Sequence, residues 1–319
     1  MQKTKLAKAV AFALAGAALT AGSVSTASAS STTMYNLSSG DNPDNSTNTV
    51  DPVTGINSFT GVTGWNLSGT TDGWTNGVDV AGSGIAPLWA GTGVGFTTAN
   101  PFGYAGAHMN WGIEITGGAG GNGTISTYDA FNRYGVYADI DTAKGAWSDN
   151  TTPPSVAGWR HDLDTGLFKS DTGGLVTLNA TGIMQSGTNF GFTIFKGKDT
   201  GTSYNHHGGW NAGNNATGLT SASLPGGSTV GLTVANIVAY SVGGATPSNL
   251  NTISFNAEAG QIYQIFLGGY RNGAWGDTID GYSLNISQSA VAAVPVPGAV
   301  WLFGTAMAGF LGLRRNKKA

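Results

Sequence analysis

Short runs in which apolar and polar residues alternate recur along most of this chain, and they limit the class of fold it can reach. In "NFGFTIFK", Phe190, Phe192 and Ile194 fall on one face, and in "TVGLTVANIV" Val230, Leu232 and Val234 do the same. "DGYSLNIS" sets Tyr282, Leu284 and Ile286 on one side; "GLVTLNATG" (Gly174 to Gly182) and "YGVYADID" (Tyr134 to Asp141) follow the same rule. A period of two marks a half-buried strand. "QIYQIFLGGY" differs, because Tyr263, Ile265 and Leu267 oppose Ile262 and Phe266. Both faces are apolar, so this strand is expected at the centre of a sheet. No long stretch of the body repeats apolar residues at helical spacing. Glycine, 52 of 319 residues, clusters with Asn, Asp and Pro between the runs as turns. Gly, Thr, Val and Asn are also poor helix formers. The expectation is an all-β body, an antiparallel β-sandwich or jelly roll with long loops. Phe192, Ile194, Leu232, Val234, Ile265, Leu267 and Leu284 are its expected core.

The region from Ser31 to about Gly95 is poor in long apolar runs and reads as loop-rich, with an extended start through "SSGDNPDNSTNT". Pro153-Pro154 is a candidate boundary. One sandwich with long loops and two small β-units both fit the pattern.

The two ends differ from the body. Lys3, Lys5 and Lys8 precede an apolar run from Ala9 to Leu19, followed by Ala27-Ser28-Ala29. A basic start, a short apolar helix and small residues at −3 and −1 describe a secretory signal peptide over 1–29, cut after Ala29 by signal peptidase. At the other end, Val291 to Leu313 carries no charge, and Arg314, Arg315, Lys317 and Lys318 follow. Pro297 suits a helix start, since it lacks an N–H that would go unpaired there. A helix over 298–313 is roughly 24 Å long at 1.5 Å per residue, and with its Pro-containing lead-in it reaches bilayer thickness. The basic tail, 314–319, is expected to stay cytoplasmic. The body is residues 30–290.

Its charge restricts its partners. The body holds seven basic against seventeen acidic residues, a net of −10. Such a surface repels phosphate backbones, which argues against nucleic-acid binding. Cysteine is absent, which excludes disulfides, thiol catalysis and Cys-ligated metal.

Chemistry-bearing patterns in the body are few. Asp139/Asp141 and Asp162/Asp164 are Asp-x-Asp pairs that could share Ca²⁺ on a turn; on a strand they would face solvent. "NHHGGWN" places His206 and His207 side by side without the spacing of a zinc helix. Glu114 and Glu258, the two glutamates, offer a glycosidase pair only if the fold brings a carboxylate partner to one of them. "GGAGGNG" contains Gly118, Gly120 and Gly123 at G-x-G-x-x-G spacing, but strand-like residues follow, so it reads as a β-turn. Tryptophans beside Gly and Asn can stack on sugar rings; Trp159 and Trp210, with polar neighbours, are the candidates for carbohydrate contact.

The closing segment "VPVPGAVWLFGTAMAGFLGLRRNKKA" resembles the PEP-CTERM sorting domain of Gram-negative bacteria, also catalogued as an ice-binding-protein C-terminal domain. Pro295, Val296 and Pro297 occupy the Pro-x-Pro site, with Val296 where Glu is usual, and Arg314 and Arg315 head the basic end. The resemblance implies recognition in the inner membrane by an exosortase-type cysteine transpeptidase and transfer towards the outer surface, often where exopolysaccharide is made. The stretch from Asn256 to Ser287 is similar to the closing strands of bacterial pre-peptidase-type sandwich domains. Together these readings describe an exported surface or matrix protein, non-catalytic, with exopolysaccharide as its expected ligand. A secreted hydrolase using carboxylates or a metal, and a purely structural biofilm protein, are the alternatives.

Overall fold

The computed structural model describes residues 28–37, 88–106, 108–118, 120–135, 138, 140, 164–183, 189–200, 232–241, 251–270, 281–289 and 307. Among them, strands β1 (Ser30–Asn36), β2 (Trp89–Ala90), β3 (Trp111–Thr116), β5 (Asp164–Ser170), β7 (Asn189–Lys196), β8 (Ile237–Tyr240) and β10 (Ile262–Tyr270) form a seven-stranded sheet. Its order is β2-β1-β3-β5-β10-β7-β8. Strands β4 (Gly121–Ile125), β6 (Gly174–Gly182), β9 (Thr252–Ala257) and β11 (Tyr282–Gln288) form a second sheet of four, ordered β4-β11-β6-β9. The body is all-β, as the alternation requires.

The two sheets share one core. Ile113, Ile115, Phe168, Ile194 and Ile265 of the large sheet pack with Val176, Leu178, Leu284 and Ile286 of the small one, all buried. Each such side chain removed from water contributes about 1.5–3 kcal/mol before the cost of ordering it. Phe192, Ile194, Leu232, Ile265, Leu267 and Leu284 are buried as expected. β10 sits between β5 and β7, with Tyr263 through Leu267 buried on both faces. Strands from both sides of residue 153 share each sheet: β3 pairs with β5, and β4 with β11.

Four expectations are corrected. The large sheet is mixed, because β3 and β5 run parallel with Trp111 opposite Gly166 and Ile115 opposite Ser170. Ser30–Asn36, inside the stretch read as loop-rich, is a strand paired with β3 from Ser30↔Thr116 to Tyr35↔Trp111. Of the strand expected over 229–238, only Ile237 and Val238 are strand among the described residues, after a 3-10 turn at Val234–Asn236. Where a strand is expected to start, Tyr134 and Gly135 end a helix instead; of 136–141, only residues 138 and 140 are described.

That helix, α1 (Thr127–Tyr134), is short but fully signalled at both ends. Ser126 Oγ accepts from the Asp129 amide at 3.0 Å, an N-cap that satisfies one of the helix's open donors. Gly135 closes it in the left-handed region at φ 74°, which suits a residue without Cβ. The expected signal helix and the tail lie outside the described residues except Ser28, Ala29 and Met307; among the described residues, no helix is long and apolar enough to cross a membrane.

Candidate functional site

The small sheet carries no charged residue in any of its four strands. Alternation sends Val176, Leu178, Leu284 and Ile286 inward and leaves Thr, Ser and Asn outward. Strand register then lines these up. Thr124, Asn285, Asn179 and Thr252 form one row across β4, β11, β6 and β9. Asn122, Ser287, Thr177 and Ser254 form the next. Within the rows, Thr124 Oγ1 donates to Asn285 Oδ1 at 3.0 Å, and Asn179 Nδ2 donates to Thr252 Oγ1 at 2.5 Å. The hydroxyls of Thr177 and Ser254 lie 2.8 Å apart. The result is an exposed plane of hydroxyls and amides held in place by cross-strand bonds.

The outer face of the large sheet is different. Met34, Trp89, Tyr104, Met109 and Leu167 form a second apolar cluster there, with Phe102 and Ile262 packed against it. A buried polar chain runs beside it. Tyr104 Oη donates to the His108 carbonyl at 2.8 Å and accepts from Gln264 Nε2 at 3.3 Å. Gln264 Oε1 accepts from the Asp199 amide at 2.5 Å, and His108 Nδ1 lies 3.2 Å from Thr165 Oγ1. Burial, reinforced by the Asp199 charge, raises the Tyr104 pKa well above its ordinary value, so the hydroxyl stays a donor. Lys198 Nζ donates to the carbonyls of Phe102 and Gly103, and burial lowers its pKa. It holds Phe102 at φ 53°, the only positive φ outside glycine among the described residues. Every side chain of the chain from Tyr104 to Asp199 is buried, so it ties loop to sheet rather than facing a reactant.

A third polar group joins α1 to β1. Asp129 Oδ2 accepts from Tyr35 Oη at 2.7 Å and Thr33 Oγ1 at 2.9 Å, while its Oδ1 accepts from Arg133 Nε at 2.8 Å. Burial, and then the Asp129 charge, push the Tyr35 pKa well up.

Of the residues singled out in the sequence, Asp164 is placed clearly. It opens β5 fully buried, and its Oδ2 accepts from Tyr282 Oη at 2.6 Å. It faces the core rather than solvent. Asp139, Asp141, Asp162, Trp159, Trp210, His206, His207, Ala27, Pro295, Val296, Pro297, Arg314 and Arg315 lie outside the described residues. Among the described residues, no group of three or more His, Asp or Glu is arranged to hold a metal ion. Trp89 and Trp111 are wholly buried. Glu114 is paired with Lys169 at 2.7 Å and Glu258 with Lys196 at 2.6 Å. Ala29 is partly buried against the core, and Ser30 begins β1.

The hydroxyl–amide face was not anticipated. Its outward letters are visible in "GLVTLNATG" and "YSLNIS", but nothing in them tells which strands stand side by side.

No family model matches the chain, and no curated protein matches it. Among solved structures it is similar to CorA, a surface-associated copper-binding protein important in copper acquisition by Methylomicrobium album BG8, at 12% identity. The match covers 54% of this chain and 93% of that one, with a TM-score of 0.26.

Proposed function

We propose that this chain is an exported β-sandwich protein of the cell surface or extracellular matrix that binds extracellular polysaccharide without catalysis. The observation that carries the export reading is the position of β1. The expected cleavage after Ala29 leaves Ser30 as the first residue, and Ser30 is also the first residue of β1. Cutting there leaves every described strand whole, including the one whose Thr33 and Tyr35 hold α1.

The non-catalytic reading draws support from the two glutamates. A glycosidase needs paired carboxyl groups flanking the scissile bond. Here each glutamate is matched to a strand lysine, which makes surface ion pairs. The sorting reading rests on the resemblance of the tail, in which Pro295, Val296 and Pro297 mark the processing site and Arg314 and Arg315 the stop.

The test is mass spectrometry of protein from the producing cell's surface fraction. The expected protein begins at Ser30 and lacks peptides from Trp301 onward. A chain recovered from the cytoplasm with Met1 in place overturns the export reading. An intact tail in the surface fraction overturns the processing reading alone. Measurable hydrolysis of polysaccharide by the purified protein overturns the non-catalytic one.

A further inference from the structure

We infer that the outer face of the four-stranded sheet is the ligand surface, and that its ligand is an uncharged polysaccharide; this rests on the binding reading above and adds its site and chemistry. The face carries the two rows through Asn285 and Asn179 and through Thr177 and Ser254, in register across the strands. Neighbouring strands lie about 4.8 Å apart, and successive outward residues on one strand about 6.8 Å, so polar groups recur on a regular plane.

The bonds within the rows orient this plane and leave capacity for a ligand. Asn285 uses Oδ1 to accept from Thr124 and keeps its Nδ2 hydrogens for donation. Asn179 spends an Nδ2 hydrogen on Thr252 and keeps Oδ1 for acceptance. Donors and acceptors therefore stand one strand apart, as a polymer of hydroxyls requires, since each hydroxyl both gives and takes a hydrogen bond. Side chains already held by neighbours lose little freedom on binding. Leu175, exposed on β6 beside Thr177, adds an apolar contact for the carbon–hydrogen side of a sugar ring.

Charge selects among partners. The four strands contain no Lys or Arg, so a polyanion or nucleic acid gains nothing there. The outward rows hold no aromatic or arginine anchor of the kind that dominates protein–protein interfaces. The half-buried charges on described strands, Glu114, Lys169 and Lys196, belong to the other sheet. A neutral, hydroxyl-rich polymer matches what remains.

The test is affinity electrophoresis of the full chain in detergent micelles, with dextran or hydroxyethyl cellulose as neutral polymers and alginate as the anionic one. Lysines are placed on the face by Asn179→Lys with Asn285→Lys, and elsewhere by Val238→Lys with Tyr240→Lys, exposed positions on β8. The wild type is retarded by a neutral polymer; the face variant loses affinity about tenfold or more, and the β8 variant keeps it. Asn179→Ala with Thr177→Ala, which adds no charge, weakens binding in the same direction, and unchanged melting temperatures show that all variants fold. Equal retardation of wild type and both face variants overturns this site while leaving the binding reading intact. Retardation by alginate alone overturns the neutral ligand, and no retardation by any of the three overturns the site and the binding reading together.

Discussion

Tyr282 on the small sheet donates its hydroxyl proton to Asp164 on the large one at 2.6 Å, and the same oxygen accepts from Trp111 Nε1 at 3.0 Å. One hydroxyl therefore joins β11, β5 and β3 through the middle of the core. Apolar contacts hold sheets together without specifying how they sit; a buried hydrogen bond is satisfied in one arrangement only. Tyr282→Phe keeps the ring against Phe190, whose centroid is 5.8 Å away, and removes only the oxygen. It is expected to cost roughly 1–3 kcal/mol, because a buried carboxylate and an indole N–H each lose a partner. Urea unfolding measures this; a variant as stable as the wild type shows that the bond does not contribute.

The second prediction concerns α1. An eight-residue helix is too short to be stable alone, and Asp129 is what fastens it. Its carboxylate accepts hydrogen bonds from Tyr35, Thr33 and Arg133. Asp129→Ala is expected to destabilise the body by roughly 2–3 kcal/mol, since hydrogen bonds to a charged group are the stronger kind. Amide hydrogen exchange should accelerate most over 127–135. Exchange that rises uniformly instead makes Asp129 an ordinary contributor to global stability.

Alkaline pH tests the two buried tyrosines. Tyr35 and Tyr104 both have pKa values raised well above the ordinary one, chiefly by burial. In the unfolded chain each loses its proton near pH 10, while in the fold each keeps it. Above that pH the unfolded state binds fewer protons than the native state, so stability falls as pH rises. The contribution is fully present below about pH 10 and is lost as pH climbs through the raised folded values. Each tyrosine adds at most about 1.4 kcal/mol per pH unit to the slope. Denaturant melts of wild type and Tyr35→Phe from pH 8 upward should give a shallower alkaline limb for the variant. Parallel limbs would remove Tyr35 from this account.

Gly166 supplies the fourth. It lies opposite Trp111 in the parallel pair, and a Cβ there would stand 2.2 Å from the indole ring. Gly166→Ala forces the largest side chain of the core out of place and is expected to cost about 1–3 kcal/mol by overpacking. Near-ultraviolet circular dichroism should change with it, as Trp111 moves. A variant with wild-type stability and an unchanged aromatic spectrum contradicts the contact.

How much of this was legible follows from what alternation encodes. In β6 and β11 the period of two names the buried face residue by residue, and the doubly apolar β10 names its own central place; in β7 it names Phe190, Phe192 and Ile194 but misses Thr193 and Phe195, which are buried on the opposite face. Burial of one face is a local property, carried by neighbours in sequence. β1 escaped because "SSTTMYN" looks polar: Thr33 and Asn36 are nevertheless fully buried, the first under Asp129 and the second against the Met109 carbonyl. Its interior polar groups are partnered by residues far along the chain, and such partners leave no mark on the strand itself. α1 had a written start and stop in Ser126, Asp129 and Gly135, yet its length gives no helical period to find.

The sequence alone determined the class of fold, the identity of most core residues and the lack of charge on four of the strands. Tertiary structure alone decided which strands became neighbours. The parallel meeting of β3 with β5 and the row of Thr124, Asn285, Asn179 and Thr252 join residues widely separated in the chain. Side-chain period fixes the face a residue occupies; inter-strand hydrogen bonding, which is indifferent to side-chain identity, fixes who stands beside it.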